Sequence, residues 1–307
     1  MKRKVLIIAG GYSKEREISL KTAISVYKEL KKNKNLKLAI CEPDGNFLKK
    51  IKKFRPDVVF NALHGQFGED GYIQSILEKE KVNYTHSGVL ASSLAIDKDL
   101  SKKQFIKNKI LTPKYFKYKF SDTSNKAKIK KKIIKNFKFP VVIKPINEGS
   151  SVNVFICGEK NFYKKLIGLK DYKEVMIEQY IPGREIQAAI MGKVKLGAIE
   201  LRPKRGFYDY KAKYDVSAKT KHIMPVPISK KNYSILMNIA FQAHKIIGCK
   251  GITRSDFRYY KNKFYLLEIN TQPGLTDLSL VPEIAKFYNI SFSKLLRWII
   301  KDASKNR

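Results

Sequence analysis

Cysteine is scarce. Cys41, Cys157 and Cys249 lie far apart in a chain of 307 residues and show no CxxC spacing, which excludes a disulfide framework or a thiolate zinc site and suits the reducing cytoplasm. Acids are few as well: 27 Asp and Glu face 63 Lys and Arg, for a formal net charge of +36. Only ten of the 63 bases are arginine. The lysines are scattered as KK and KNK instead of forming a stripe, and no clustered arginine with aromatics marks a nucleic-acid module, so no nucleic-acid partner is expected. A basic nucleic-acid-binding protein is a remote alternative that rests on the charge alone. The field should attract small anions such as nucleotides. No apolar run reaches the ~20 residues of a membrane span. The opening MKRKVLIIAGG mimics a signal peptide, but its apolar run is only about five residues and ends in a glycine pair, so it reads as a first strand. Neither GxGxxG nor a P-loop occurs.

What is present points to a folded chain of two or three domains, with 43% hydrophobic and 11% aromatic residues. VLIIAGGYSKEREISLKTAISVYKEL reads as strand, glycine-rich loop and helix, the opening of an open α/β sheet whose ligands gather at the carboxyl ends of strands. Glu15 stands at the loop-to-helix junction, where favourable charge in a helix's first turn is its structural role. PDVVFNALHG is an apolar strand ending in His64, and QFGEDG then leads into a helix. A domain boundary is expected near residue 95, just before Lys98. FPVVIKPINEGSSVNVFIC reads as two strands. Lys144 interrupts an apolar strand and needs an anionic partner there, and the Gly149–Ser151 loop can present N–H groups and hydroxyls to phosphate. Glu178 and Glu185 bracket a turn at Pro182-Gly183. From Arg202 to His222 the chain is polar and irregular, the signature of a lid, with Tyr208, Lys213 and Tyr214 as its working residues.

The organising stretch is Gly251 to Leu280, read as a hairpin followed by a loop. With Asn262 centring a three-residue turn, Tyr260 faces Phe264, Asp256 faces Glu268 and Arg254 faces Asn270. Period-2 alternation puts Arg254, Asp256, Glu268 and Asn270 on one face and sends Phe257, Leu267 and Ile269 into the core. Two facing carboxylates repel unless something positive lies between them. A few oxygen ligands suit Mg²⁺, which completes its shell with water and phosphate.

The stretches GGYSKEREISL, HGQFGEDG, GVLASSLAIDK, VVIKPINEGSSV, YDYKAKY, TRSDF and LLEINTQPGLTDLSLVP, in this order, resemble D-alanine–D-alanine ligases of the ATP-grasp superfamily, nearly end to end. The resemblance implies an α/β (α+β) ATP-grasp fold in three parts: residues 1–95 as a Rossmann-like open-sheet domain, 96–180 as a small central ATP-binding subdomain and 181–307 as a C-terminal subdomain with the metal site and lid. It implies ATP-dependent joining of two D-alanines through an acyl phosphate for peptidoglycan precursors, in a cytoplasmic homodimer with no membrane partner. By the same resemblance, Glu178, the Gln179–Ile181 backbone and Glu185 hold adenosine, with Tyr208 also at the nucleotide. Lys98 and Lys144 hold the α- and β-phosphates, and Ser151 with Lys213 closes on the γ-phosphate. Asp256, Glu268 and Asn270 bind two Mg²⁺, for which Mn²⁺ can substitute. Glu15 and His64 hold the first D-alanine, with Ser150 and Tyr214 completing a hydrogen-bonded set around Glu15. Arg254 and the Gly274 N–H face the oxyanion, and Ser279 with Lys213 takes the carboxylate of the second D-alanine. Asn153, Gln272 and Asp277 depart from the family pattern, which touches loop geometry and affinity. A ligase taking D-lactate or D-serine as acceptor is the alternative, and Tyr214 in the lid favours an amine. Replacing Lys144 by Ala or Glu268 by Gln is expected to abolish turnover with little loss of fold.

Overall fold

The computed structural model describes residues 2–122, 125–203, 220–276, 279–305 and 307. The lid residues Tyr208, Lys213 and Tyr214, and Asp277, lie outside the described residues. Three sheets form the frame. The first is parallel, in the order β2-β1-β3, built from β1 (Arg3–Ile8), β2 (Leu36–Cys41) and β3 (Val58–Asn61). Val5 to Ile8 are all at most 2% exposed, as a parallel strand covered on both faces demands. Helix α1 (Arg16–Leu30) follows β1 as the strand–loop–helix reading requires.

The second sheet has four antiparallel strands in the order β4-β7-β5-β6: β4 (Tyr115–Lys119), β5 (Val141–Pro145), β6 (Phe155–Cys157) and β7 (Glu174–Gln179). The lysine-laden stretch before β5 is helical over Lys126–Asn136, and only Ile129 and Ile133, one turn apart, are buried from it.

The third sheet runs β10-β9-β8-β11-β12, from β8 (Arg184–Met191), β9 (Val194–Arg202), β10 (Lys221–Ile223), β11 (Ile252–Tyr260) and β12 (Lys263–Asn270). Strands β7 and β8, separated by the Pro182-Gly183 turn, therefore belong to different sheets. Gly183 makes that crossing: its φ is +116°, and a Cβ there would lie 2.4 Å from the Tyr259 carbonyl oxygen. The amphipathic helix before the hairpin spans Lys230–Ile247, capped by Ser229 and ended by Gly248 at φ +77°. Helices α2 (Val89–Ile96) and α3 (Lys98–Lys107), on either side of residue 97, pack on each other and on β12. One apolar core joins β1, β3 and α1 to β8 and β9, so the first and third sheets share a packed seam.

The hairpin carries two corrections. Its turn holds two residues, Lys261 and Asn262, with φ of +47° and +58°, and Tyr260 pairs with Lys263 instead of Phe264. Positive φ at both central residues matches a primed two-residue turn. That shift alone would have moved the acids out of line. A β-bulge after Asp256 cancels it, so Asp256 still faces Glu268 and Arg254 still faces Asn270. Leu267 is the extra residue. It is half-buried on a cavity wall and not in the core, where Phe264, Leu266 and Ile269 lie instead.

Candidate active site

Two adjoining cavities open between the sheets. The first measures about 1040 Å³ with its open mouth and is lined by Glu15, His64, Ser150, Arg254, Asn270, Gly274 and Ser279 among others. The second, about 710 Å³, is lined by Lys144, Ser151, Glu178, Gln179, Ile181, Glu185 and Asp256. Lys98, Glu148 and Glu268 line both, so the two meet at one lysine and one acid of the hairpin. Every described residue singled out from the sequence as a site residue lines one cavity or the other.

In the first cavity, Glu15 is buried before the first turn of α1 and accepts a hydrogen bond from the Ser150 hydroxyl. Two glycines let the loops close on it: a Cβ at Gly65, where φ is +70°, would lie 2.6 Å from Glu15 Oε2, and one at Gly149 3.0 Å from it. Ser150, Ser151 and Asn153 all have positive φ, between +49° and +58°. Asn153, where the family pattern favours glycine, is the residue type that tolerates this backbone best after glycine. His64 is buried with both ring nitrogens engaged, Nε2 at 2.9 Å from Thr22 Oγ1 and Nδ1 at 3.1 Å from Glu69 Oε1. Its structural partners thus fix the ring that lines the cavity. Gly274 lacks a side chain where a Cβ would meet Ser279 Oγ at 2.8 Å, and Ser279 Oγ accepts from the Thr276 N–H at 2.9 Å.

Where the cavities meet, Arg254 Nε lies 2.7 Å from Asp256 Oδ1 and its terminal nitrogen 3.1 Å from Oδ2. Lys98 Nζ donates to the Glu148 carbonyl at 2.6 Å and lies 3.5 Å from Glu268 Oε2. Asn270 Oδ1 accepts from the Gln272 N–H at 2.7 Å. Gln272, the second departure, sends its amide to the carbonyl of Leu63, beside His64, and so ties the loop after the hairpin to the end of β3. Among the described residues, Arg254 lies beside Asp256 and Lys98 beside Glu268, which offsets the repulsion of the facing carboxylates. Two carboxylates and an amide oxygen, all hard donors on paired strands, fit Mg²⁺. Three such donors are fewer than the six that Mg²⁺ takes, so water or phosphate would complete its shell.

In the second cavity, Glu178 is 2% exposed. Lys144 Nζ reaches its Oε1 at 3.1 Å and Lys102 Nζ its Oε2 at 2.7 Å. Burial raises a carboxyl pKa, but the two ammonium groups outweigh burial and hold Glu178 below its ordinary value. Lys144 thereby has the anionic partner its place in an apolar strand required. Glu185 is paired with Arg258 at 3.0 Å.

Sequence reasoning missed three residues. Lys102 is fully buried behind Glu178; its one available signal was its place four residues after Lys98, on the same helix face. Gln187 interrupts the apolar run of β8 as Lys144 interrupts β5. It is fully buried opposite Asp256, lines the first cavity, and both its side-chain polar atoms lack partners among the described residues. Glu69, from the GEDG loop, holds the His64 ring.

The family model "D-ala D-ala ligase C-terminus" matches residues 107–301. A curated D-alanine–D-alanine ligase from Pelagibacter ubique is 65% identical over 100% of both chains. The crystal structure of D-alanine–D-alanine ligase from Bacillus anthracis complexed with ATP superposes with a TM-score of 0.84 at 27% identity, covering 98% of this chain and 97% of that one. The D-Ala:D-Ser ligase from Enterococcus faecalis superposes with a TM-score of 0.81, also at 27% identity, over 98% and 99% of the two chains.

Proposed function

Because this chain belongs to the D-alanine–D-alanine ligase family, we propose that its two cavities join two D-alanine molecules while cleaving ATP to ADP and phosphate. The observation that carries this is the meeting of the cavities at Lys98 and Glu268. A nucleotide lying in the second cavity would present its terminal phosphate at the mouth of the first, where an amino acid's carboxylate can receive it. Apolar Val142, Val154, Ile181 and Leu267 would clasp the base, with Glu178 and the Gln179–Ile181 backbone at its edge. Glu185 would take the ribose. Lys98 and Lys144 would hold the α- and β-phosphates, and Ser151, with Lys213 and Tyr208 of the lid, would close over the nucleotide.

Asp256, Glu268 and Asn270 would hold two Mg²⁺, or Mn²⁺ in their place, which would neutralise charge on the phosphoryl group in transfer. Glu15, fixed by Ser150 and by the close loops at Gly65 and Gly149, would pair the ammonium of the first D-alanine. His64, with its ring already held, would pack beside it. A carboxylate is a poor electrophile, and phosphorylation turns it into an acyl phosphate that the amine of the second D-alanine can attack. Arg254 and the Gly274 N–H would stabilise the oxyanion that results. Ser279 and Lys213 would hold the second carboxylate, and Tyr214 would complete the Glu15–Ser150 set. A closed lid would keep water from the acyl phosphate.

Three coarser readings complete the proposal. The units 1–95, 96–180 and 181–307 act as domains, two copies form a homodimer, and the enzyme works in the cytoplasm, which three free, buried cysteines suit. No described helix is long and apolar enough to cross a membrane. Phosphate release over a panel of D- and L-alanine, D-serine and D-lactate tests the function: turnover that requires D-alanine supports it, and none with folded protein refutes it. The likeness to a D-Ala:D-Ser ligase makes D-serine the acceptor to compare with care. Sedimentation tests the dimer.

A further inference from the structure

One of the two cationic partners of Glu178 stands outside the cavity. Lys102 is fully buried and does not line the second cavity, whereas Lys144 and Glu178 do. Its ammonium is pinned from the other side. Nζ donates to Thr112 Oγ1 at 2.6 Å, and Thr112 in turn donates to the Leu266 carbonyl of β12 at 2.8 Å. It also lies 5.5 Å from the centre of the Tyr115 ring. The groups facing it are thus Glu178 on β7, Lys144 on β5, Glu268 and the Leu266 carbonyl on β12, and Tyr115 on β4. The third sheet holds the ammonium through Thr112, and the ammonium forms an ion pair at 2.7 Å with a carboxylate of the second sheet.

We propose that Lys102 is a positioning residue for base selection: it keeps the buried Glu178 carboxylate ionised and oriented, so that the cavity accepts a purine with a 6-amino group and rejects one with a 6-oxo group. The inference rests on the reading of this cavity as the nucleotide site. An ionised carboxylate only accepts hydrogen bonds. It matches an amino N–H and opposes a carbonyl oxygen, while a protonated carboxyl could donate to that oxygen and the share of the discrimination made at position 6 would vanish. A carboxylate at 2% exposure stays ionised only while cations compensate it. When ATP is bound, Lys144 shares its charge with the phosphates, and Lys102 remains as the partner committed to Glu178. Sites built to hydrogen-bond one group reject the analogue lacking it far more strongly than apolar pockets do.

The test compares ATP with ITP, whose base carries an oxo group at position 6 and a proton on N1, in the full-length enzyme with Mg²⁺ and D-alanine. The N1 difference is common to variant and parent and cancels when their ratios are compared. In Lys102→Met the ratio of kcat/KM for ATP to that for ITP should fall at least tenfold. The fall should come from a higher KM for ATP, with kcat at saturating ATP within threefold of the parent. The rise in Tm produced by ATP should shrink toward that produced by ITP. A ratio within twofold of the parent, or a fall in kcat at unchanged KM, overturns the proposal. If Lys102→Met does not fold, Thr112→Val carries the test, since it keeps the charge and frees the ammonium: a ratio lowered threefold or more supports the proposal, and an unchanged ratio overturns it. The Tm shifts need no turnover, so absent ligase activity in the parent would count against the proposed function and leave this reading measurable.

Discussion

Lys144→Ala and Glu268→Gln should both destroy turnover, yet only the first should weaken the fold. Glu178 is buried between Lys102 at 2.7 Å and Lys144 at 3.1 Å. Removing the sole partner of a buried charge costs about 3–5 kcal/mol. Because Lys102 remains, the loss here should be about 2–3 kcal/mol, the range of one hydrogen bond to a charged group. At roughly 2 °C per kcal/mol for a chain of this size, Tm should fall by about 4–6 °C. The Glu268 side chain is 28% exposed, and the buried Lys98 3.5 Å away keeps the Glu148 carbonyl at 2.6 Å when the Glu268 charge is removed, so the loss should be about 1 kcal/mol. Glu268→Gln should therefore melt within about 2 °C of the parent while losing at least ~100-fold in rate, the scale on which a preorganised charge acts. Thermal melts at neutral pH, beside D-alanine-dependent phosphate release, read both quantities. Equal melting temperatures for the two variants would refute the claim that the buried triad stabilises the fold. The expectation of little loss of fold in both thus divides, because sequence alone did not reveal the buried carboxylate beside Lys144.

Other outcomes can be checked separately. Burial pushes His86 down to about 3 and His244 to about 4. An unfolded chain takes up these protons near pH 6.5 while the folded one does not, so stability should fall as pH drops from about 6.5 toward 4; His244→Gln should flatten that slope in acid melts. Burial raises the thiols of Cys41 and Cys157 to about 11 and Cys249 to about 12, so a thiol reagent at pH 8 should label the native protein far more slowly than the urea-unfolded one. Gly183→Ala should cost more than about 1 kcal/mol, seen as a lower urea midpoint, because both its positive φ and the Tyr259 carbonyl oppose a Cβ. Isothermal titration with Mn²⁺ and a non-hydrolysable nucleotide should give weaker metal binding for Asp256→Asn than for the parent; unchanged affinity would remove Asp256 from the metal set.

The acid pair was legible because strand alternation is rigid: once Asp256 and Glu268 sit two and two residues from Arg254 and Asn270, they share a face with them. The turn was not legible, since a three-residue turn without a bulge and a two-residue turn with one place the acids identically. Strand-interior Lys144 was legible from its apolar neighbours, and its partner was found. Lys102 was hidden by composition, because among 63 bases a helical lysine looks like surface decoration. Gln187 gave the same signal as Lys144, a polar residue inside an apolar strand, but an uncharged amide draws less notice. The strands flanking Pro182-Gly183 read as consecutive, and only the long-range pairing of β7 with β4 and β5, and of β8 with β9 and β11, reveals that they part company.

The unpaired Leu267 makes the hairpin tolerant of length changes at two places and intolerant between them. Deleting Leu267 would remove the bulge and still leave Tyr260 against Lys263 and Asp256 against Glu268, and one residue added between Asn262 and Lys263 would only lengthen the turn. One residue added between Lys263 and Leu266 has no such outlet: it would demand a second bulge or carry the metal acids onto opposite faces.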